Sequence, residues 1–135
     1  MAIVNIKETL DADIETVWEA VTSLKSYAWR SDLDNIEIGL DGKQFVEKTK
    51  DGYSTTFTIT DFMPRERYAF SIENDNIQGS WTGIFSSVDG KTVVDFTENV
   101  EAKRVLLRPF VKTYLVKQQK RYIRDLQRYL AKAAK

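Results

Sequence analysis

A chain of 135 residues, 42% apolar and 30% charged, has the size and composition of one domain built around one core. It contains neither cysteine nor histidine, which excludes a disulfide framework, thiol chemistry, Ser-His or Cys-His triads and the usual zinc ligands. Its formal net charge is zero, yet from Lys103 onward eleven Lys and Arg stand against one acid, Asp125, leaving nineteen acids and nine bases in the first 102 residues.

Two consequences of that segregation are open. The basic end can pack on an acidic sheet of the same molecule, the expectation taken here because the halves cancel, or it can meet an anionic partner. The opening MAIVNIKE has too short an apolar run for a signal peptide. No run approaches the roughly 20 apolar residues that span a bilayer, so a cytoplasmic location and no membrane span are expected.

In chain order, residues 3–10 alternate as a strand, with Val4 and Ile6 on one face. Asp13 suits a helix N-cap, and Ile14, Val17, Trp18 and Val21 follow at helical spacing. LKSYAWR then reads as a second helical or irregular piece. Asp41-Gly42, Asp51-Gly52 and Asp89-Gly90 are hairpin signals, and Met63-Pro64-Arg65-Glu66 and Asn74-Asp75-Asn76 supply further turns. They divide the middle into strands 34–40, 43–49, 53–62, 67–73, 77–88 and 91–101, an antiparallel meander.

The last element is a helix over 109–133, with Pro109 in its first turn, about 37 Å long. Its apolar stripe is Val111, Leu115, Tyr122, Leu126, Tyr129, Leu130 and Ala133, and its opposite face is Lys117, Lys120, Arg121, Arg124, Arg128 and Lys132. Gln118 and Gln119 flank Tyr122 near the stripe's centre. In a dry core each unpaired amide would cost about 1–3 kcal/mol. Either both amides lie at the edge in water, or the helix faces a cavity where a ligand or water satisfies them.

The strands support a cavity. Tyr53, Phe57 and Ile59 share a face, as do Tyr68, Phe70 and Ile72, then Trp81 and Phe85 with Gly79 and Gly83, then Val94, Phe96 and Val100. Glycines among large rings mark bends or space. The fold class read from these elements is α+β: a curved seven-stranded antiparallel sheet wrapped around a long C-terminal helix, with short helices after the first strand, all in one domain, 1–135.

LDADIETVWEAVTSLKSYAWRSDL, TITDFMPRERYAFSI and GSWTGIFSSVDGKTVVDFTENVE, in this order before the final helix, resemble the helix-grip fold of the SRPBCC, or START-like, superfamily. The likeness spans nearly the whole chain and is greatest to small bacterial polyketide cyclase/dehydrase-like members. It implies a small hydrophobic or amphipathic ligand (a lipid, polyketide or aromatic molecule) held between sheet and helix. Members of the superfamily include both binders and enzymes.

Phe45 and Glu47 are two apart, as are Phe96 and Glu98, so each glutamate shares its phenylalanine's face. A carboxyl in an apolar pocket has a raised pKa and can act as acid or base. Alternatively each glutamate sits at the mouth or pairs with an Arg. Glu98 is the stronger candidate, since Glu47 lies further out in the meander. Asp61 follows the Phe57–Ile59 face, with a turn just beyond. Trp29 is a ligand lid or a loop anchor on the sheet, with Arg30 and Asp32 binding a head group or solvated. Trp18 is read as core.

The expected ligand-binding set is therefore Trp29, Phe57, Tyr68, Phe70, Trp81, Phe96, Glu98, Leu115, Gln118, Gln119 and Tyr122. No phosphate-cradling glycine loop is present, a metal site would be all oxygen, and no cofactor or metal is expected. The basic face lacks interleaved aromatics, so no nucleic acid is expected. The leading reading is a small-molecule binder. A cyclase or dehydratase using Glu98 or Glu47 is the alternative, and an interaction module using the basic helix is the third.

Overall fold

Turn chemistry lays out the sheet. Gly42, Gly52 and Gly90 take φ of 71°, 89° and 79°, a region open to glycine without a side-chain clash. Asp89 joins Gly90 at φ 52°, as a tight hairpin with the twist of its strands requires. At another corner the Asn74 carboxamide oxygen accepts from the backbone N–H groups of Asn76 and Ile77 at 2.8 and 2.9 Å.

The computed structural model describes residues 2–133. The order is β1 (Ala2–Leu10), α1 (Ile14–Thr22), β2 (Leu33–Ile38), β3 (Gln44–Thr49), β4 (Ser54–Met63), β5 (Arg67–Glu73), β6 (Ile77–Val88), β7 (Lys91–Ala102), a 3₁₀ turn (Val105–Leu107) and α2 (Arg108–Ala133). The strands form one antiparallel sheet in the order β1-β7-β6-β5-β4-β3-β2, so that β1 closes onto β7 beside the last hairpin. The curved sheet and long C-terminal helix are those of the helix-grip fold. None of the described helices is long and apolar enough to cross a membrane.

Asp13 caps α1 by accepting from the Thr16 N–H at 3.0 Å, and Val17, Trp18 and Ala20 are buried beneath it. Trp18 packs edge-on to Phe85, Phe62 and Tyr68, so it is core. A single helix follows β1. The stretch 24–30 is irregular, because the Ser23 hydroxyl accepts from the Lys25 and Ser26 N–H groups and turns the chain away from helix.

Three expectations for α2 need correction. Ile123, absent from the expected stripe, is buried, while Ala133 is exposed because burial along the helix ends at Leu130. The helix's single acid is also buried: Asp125 accepts from the backbone N–H and hydroxyl of Ser31 at 2.9 and 2.8 Å. It thereby ties the 23–32 loop to the helix. Finally, the basic face does not pair with an acidic sheet. Among the described residues only Arg108, 3.9 Å from Glu101, bridges α2 to a strand, and the face from Lys117 to Lys132 is solvated. The charges cancel in sum without meeting in space.

Candidate functional site

Where the sheet curves away from α2, a cavity of about 780 Å³ remains between them. That is within the usual range for a small-molecule site. Its floor is a run of rings across the strands. Phe45 stacks on Phe57 at 5.0 Å, Phe57 meets Phe70 edge-on at 5.1 Å, and Phe70 stacks on Trp81 at 4.9 Å. Trp81 reaches Phe96 at 4.8 Å. Tyr68 packs edge-on against both Phe70 and Trp81.

Gly83 makes room for this wall. A Cβ there would meet the Trp81 indole at 2.5 Å and Phe96 at 3.1 Å, so the ring lies in the space a side chain would take. Gly79 instead lies against the neighbouring strand, where a Cβ would meet the Asn99 carbonyl.

The roof and one side come from α2 and the 23–32 loop. Trp29, Phe57, Tyr68, Phe70, Trp81, Phe96, Glu98, Gln118, Gln119 and Tyr122 all border the cavity, as does Glu47. Leu115 does not. It is fully buried in the closed core, because α2 lies against β1 and β7 and that part of its stripe seals the contact.

The two glutamines separate. Gln118 donates to the Tyr114 hydroxyl at 2.7 Å near the solvent-facing edge. Gln119 is buried; its amide nitrogen lies 3.4 Å from the Val4 carbonyl, and its oxygen has no partner. The water-edge reading therefore fits Gln118 and fails for Gln119.

Trp29 anchors its loop, but to the helix and not to the sheet. It stacks on Tyr129 at 5.9 Å and meets Tyr122 edge-on at 5.3 Å. Its indole N–H has no protein partner. Nor are Arg30 and Asp32 the freely solvated pair that the loop position suggested. Arg30 forms a two-pronged ion pair with Glu47 at 2.8 and 3.2 Å, and Asp32 lies 3.5 Å away. The guanidinium also lies 5.2 Å from the centre of the Tyr122 ring. Burial disfavours the charge on Arg30, but Glu47 outweighs it and holds the guanidinium pKa above its ordinary value. Its Nε–H is buried without a partner.

Asp61 is off the site. A bulge between Ile59 and Asp61 in the β4–β5 register reverses the side-chain alternation. Asp61 pairs with Arg67 at 2.7 Å instead, and Phe62 takes the inner face beside Trp18.

Glu98 faces a different environment from Glu47. Burial pushes its carboxyl up to about 7, opposed by the Gln119 amide beside it; Glu47 raises it further and Arg30 lowers it. Burial also raises the Tyr68 and Tyr122 hydroxyls, keeping both protonated. The cavity thus has an aromatic floor, a committed ion pair and one carboxyl near neutrality. The unpartnered Trp29 N–H, Arg30 Nε–H and Gln119 oxygen belong to residues of its lining but are themselves covered by protein. Ile36 and the buried Ala20 also line the cavity. Both were missed in the sequence, where neither stands beside a polar candidate.

The whole chain compares with known folds. A START superfamily protein from Mycobacterium smegmatis superposes with a TM-score of 0.82 at 17% identity, covering 98% of this chain and 99% of that one. A conserved protein from Geobacillus kaustophilus gives 0.83 at 13% identity, covering 97% and 96%. BexL, a di-domain ARO/CYC from the BE-7585A biosynthetic pathway, gives 0.82 at 13% identity over 97% of this chain but 47% of its own. At these identities the likeness concerns fold alone. No curated protein matches the sequence. The family described as polyketide cyclase / dehydrase and lipid transport matches residues 1–135, in keeping with the START-like resemblance of the sequence. The chain therefore belongs to the polyketide cyclase / dehydrase and lipid transport family.

Proposed function

We propose that the protein binds a small amphipathic molecule in the cavity between sheet and α2. The observation that carries this is a space of about 780 Å³ bordered by stacked rings together with the charged and polar side chains of Arg30, Glu47 and Glu98. A closed core does not leave such a space unfilled. An apolar body against Phe57, Phe70 and Trp81 gains from area burial and ring stacking. A polar end that donates or accepts a hydrogen bond meets the Glu98 carboxyl on the cavity wall.

The test fills the space from a wall outside the core. Ile36 is half-buried on β2, paired with Glu47 in register, and borders the cavity. Ile36→Trp is expected to weaken binding of a neutral fluorescent probe, N-phenylnaphthylamine, by tenfold or more while the circular dichroism spectrum is kept. Unchanged probe affinity in a folded variant would contradict the cavity as the binding site.

A second reading rests on Glu98. With its pKa near 7 the carboxyl can donate or accept a proton at neutrality, as an acid or base in cyclisation or dehydration requires. The two-domain neighbour BexL, described as an ARO/CYC, lends it support only at the level of fold. A substrate-dependent rate abolished in Glu98→Gln, with binding retained, would establish it.

A further inference from the structure

Beyond the cavity itself, the structure carries an apolar surface that covers nothing in the fold. Val105 and Leu106 in the 3₁₀ turn are 68% and 86% exposed, and Phe110 and Tyr114, one and two turns along α2, are 67% and 53% exposed. Positions 106, 110 and 114 recur every four residues, so they lie along one side of the chain as it enters α2. This side differs from the buried stripe that seals the core. Leu107, Phe110 and Tyr114 also border the cavity, and Tyr53, 61% exposed on the β3–β4 turn, borders it with them. Leu107, Phe110, Tyr114 and Tyr53 thus form part of the cavity's mouth, and Val105 and Leu106 adjoin it in the chain.

The charges within this stretch of the chain have one sign. Residues 103–124 contain eight Lys and Arg and no Asp or Glu. Lys103, Arg104, Arg108 and Lys112, interleaved with the exposed apolar residues, are themselves exposed. Arg104 and Lys112 make no ion pair among the described residues, whereas Lys103 meets Glu73 at 3.2 Å. Apolar side chains set among basic ones match a bilayer interface: the former enter the acyl boundary and the latter meet anionic head groups. A nucleic acid would reward the charge and leave Val105 and Leu106 without a partner.

We propose that the 3₁₀ turn and the first two turns of α2 dock the protein on an anionic membrane, with the cavity mouth against the lipid surface. Val105, Leu106 and Phe110 insert, while Arg104 and Lys112 bind head groups. The surface would let an apolar molecule pass between bilayer and cavity without crossing water. Docking itself does not depend on which molecule the cavity takes.

The test is flotation of the full chain with vesicles of phosphatidylcholine alone or mixed with phosphatidylglycerol. Binding is expected only to the mixed vesicles and should fall as salt rises. Leu106→Asp, at an exposed site, is expected to weaken it tenfold or more with the circular dichroism unchanged. The pair Arg104→Glu and Lys112→Glu should weaken it likewise, and Lys120→Glu with Arg128→Glu on the solvated ridge should have little effect. No binding to mixed vesicles at low salt would overturn the proposal. So would binding that Leu106→Asp leaves intact and the ridge substitutions abolish. Neither result would bear on probe uptake by the cavity.

Discussion

Replacing Arg30 with alanine is expected to lower the unfolding free energy by about 3 kcal/mol, the low end of what breaking a buried ion pair costs. The side chains of Arg30 and Glu47 are only 16% and 14% exposed, and their contact is two-pronged. Removing the guanidinium strands a carboxylate beside stacked phenylalanines and takes the cation from the Tyr122 ring. Access of water through the cavity holds the effect to the lower end of the range. Chemical denaturation measures it. The double replacement Arg30→Met with Glu47→Leu should recover most of the loss, since removing both charges leaves nothing unpaired. A loss below about 1 kcal/mol in Arg30→Ala would mean the pair behaves as a surface bridge and does not hold the site.

The second large effect concerns Glu98. Its ordinary pKa of 4.5 rises to about 7 in the fold, chiefly through burial. Between those values the native state keeps a proton that the unfolded chain has released. The stability contribution is therefore fully present below 4.5 and is lost as pH rises through 7. The loss is on the order of 3 kcal/mol. Glu98→Gln removes this titration. Wild type and variant should unfold alike in mild acid, and the variant should be the more stable by a few kcal/mol at about pH 8. Equal stability at both ends would mean an ordinary, solvated carboxyl and would remove Glu98 from the site. A charge kept in an aromatic cavity against stability fits a group retained for a ligand.

What could be read from the chain was what repeats along it. Asp-Gly pairs gave the hairpins, period-two alternation gave the aromatic face, and the 3.6-residue stripe gave α2. The Phe-x-Glu spacing put Glu47 and Glu98 on the faces of Phe45 and Phe96. It left open whether each would face a cavity or pair with an Arg, and Glu47 does pair with Arg30. Where a strand does bulge, the same argument failed: one extra residue at position 60 turned Asp61 outward. Contacts between distant segments left no periodic trace. Nothing near Ser31 announces Asp125, ninety-four residues away, although one acid on a basic helix was a visible anomaly. The partnership of Arg30 with Glu47 was likewise one of several open to each residue. Leu115 was misassigned because a stripe tells which side of a helix is covered and not whether protein or empty space covers it. The exposed face around Leu106 and Phe110 was hidden for a related reason. It begins before the helix expected over 109–133, and Phe110 and Tyr114 stand outside that helix's apolar stripe.

The central claim is that the cavity holds a small molecule. Native mass spectrometry of the protein purified from its own host tests it most directly. The expected result is a second species, heavier than the 15.6 kDa chain by the mass of one small molecule, which collisional activation releases. Ile36→Trp should lack that species, because the wall it fills is the ligand's. A single peak at the bare chain mass, under conditions gentle enough to keep noncovalent complexes, would contradict the account.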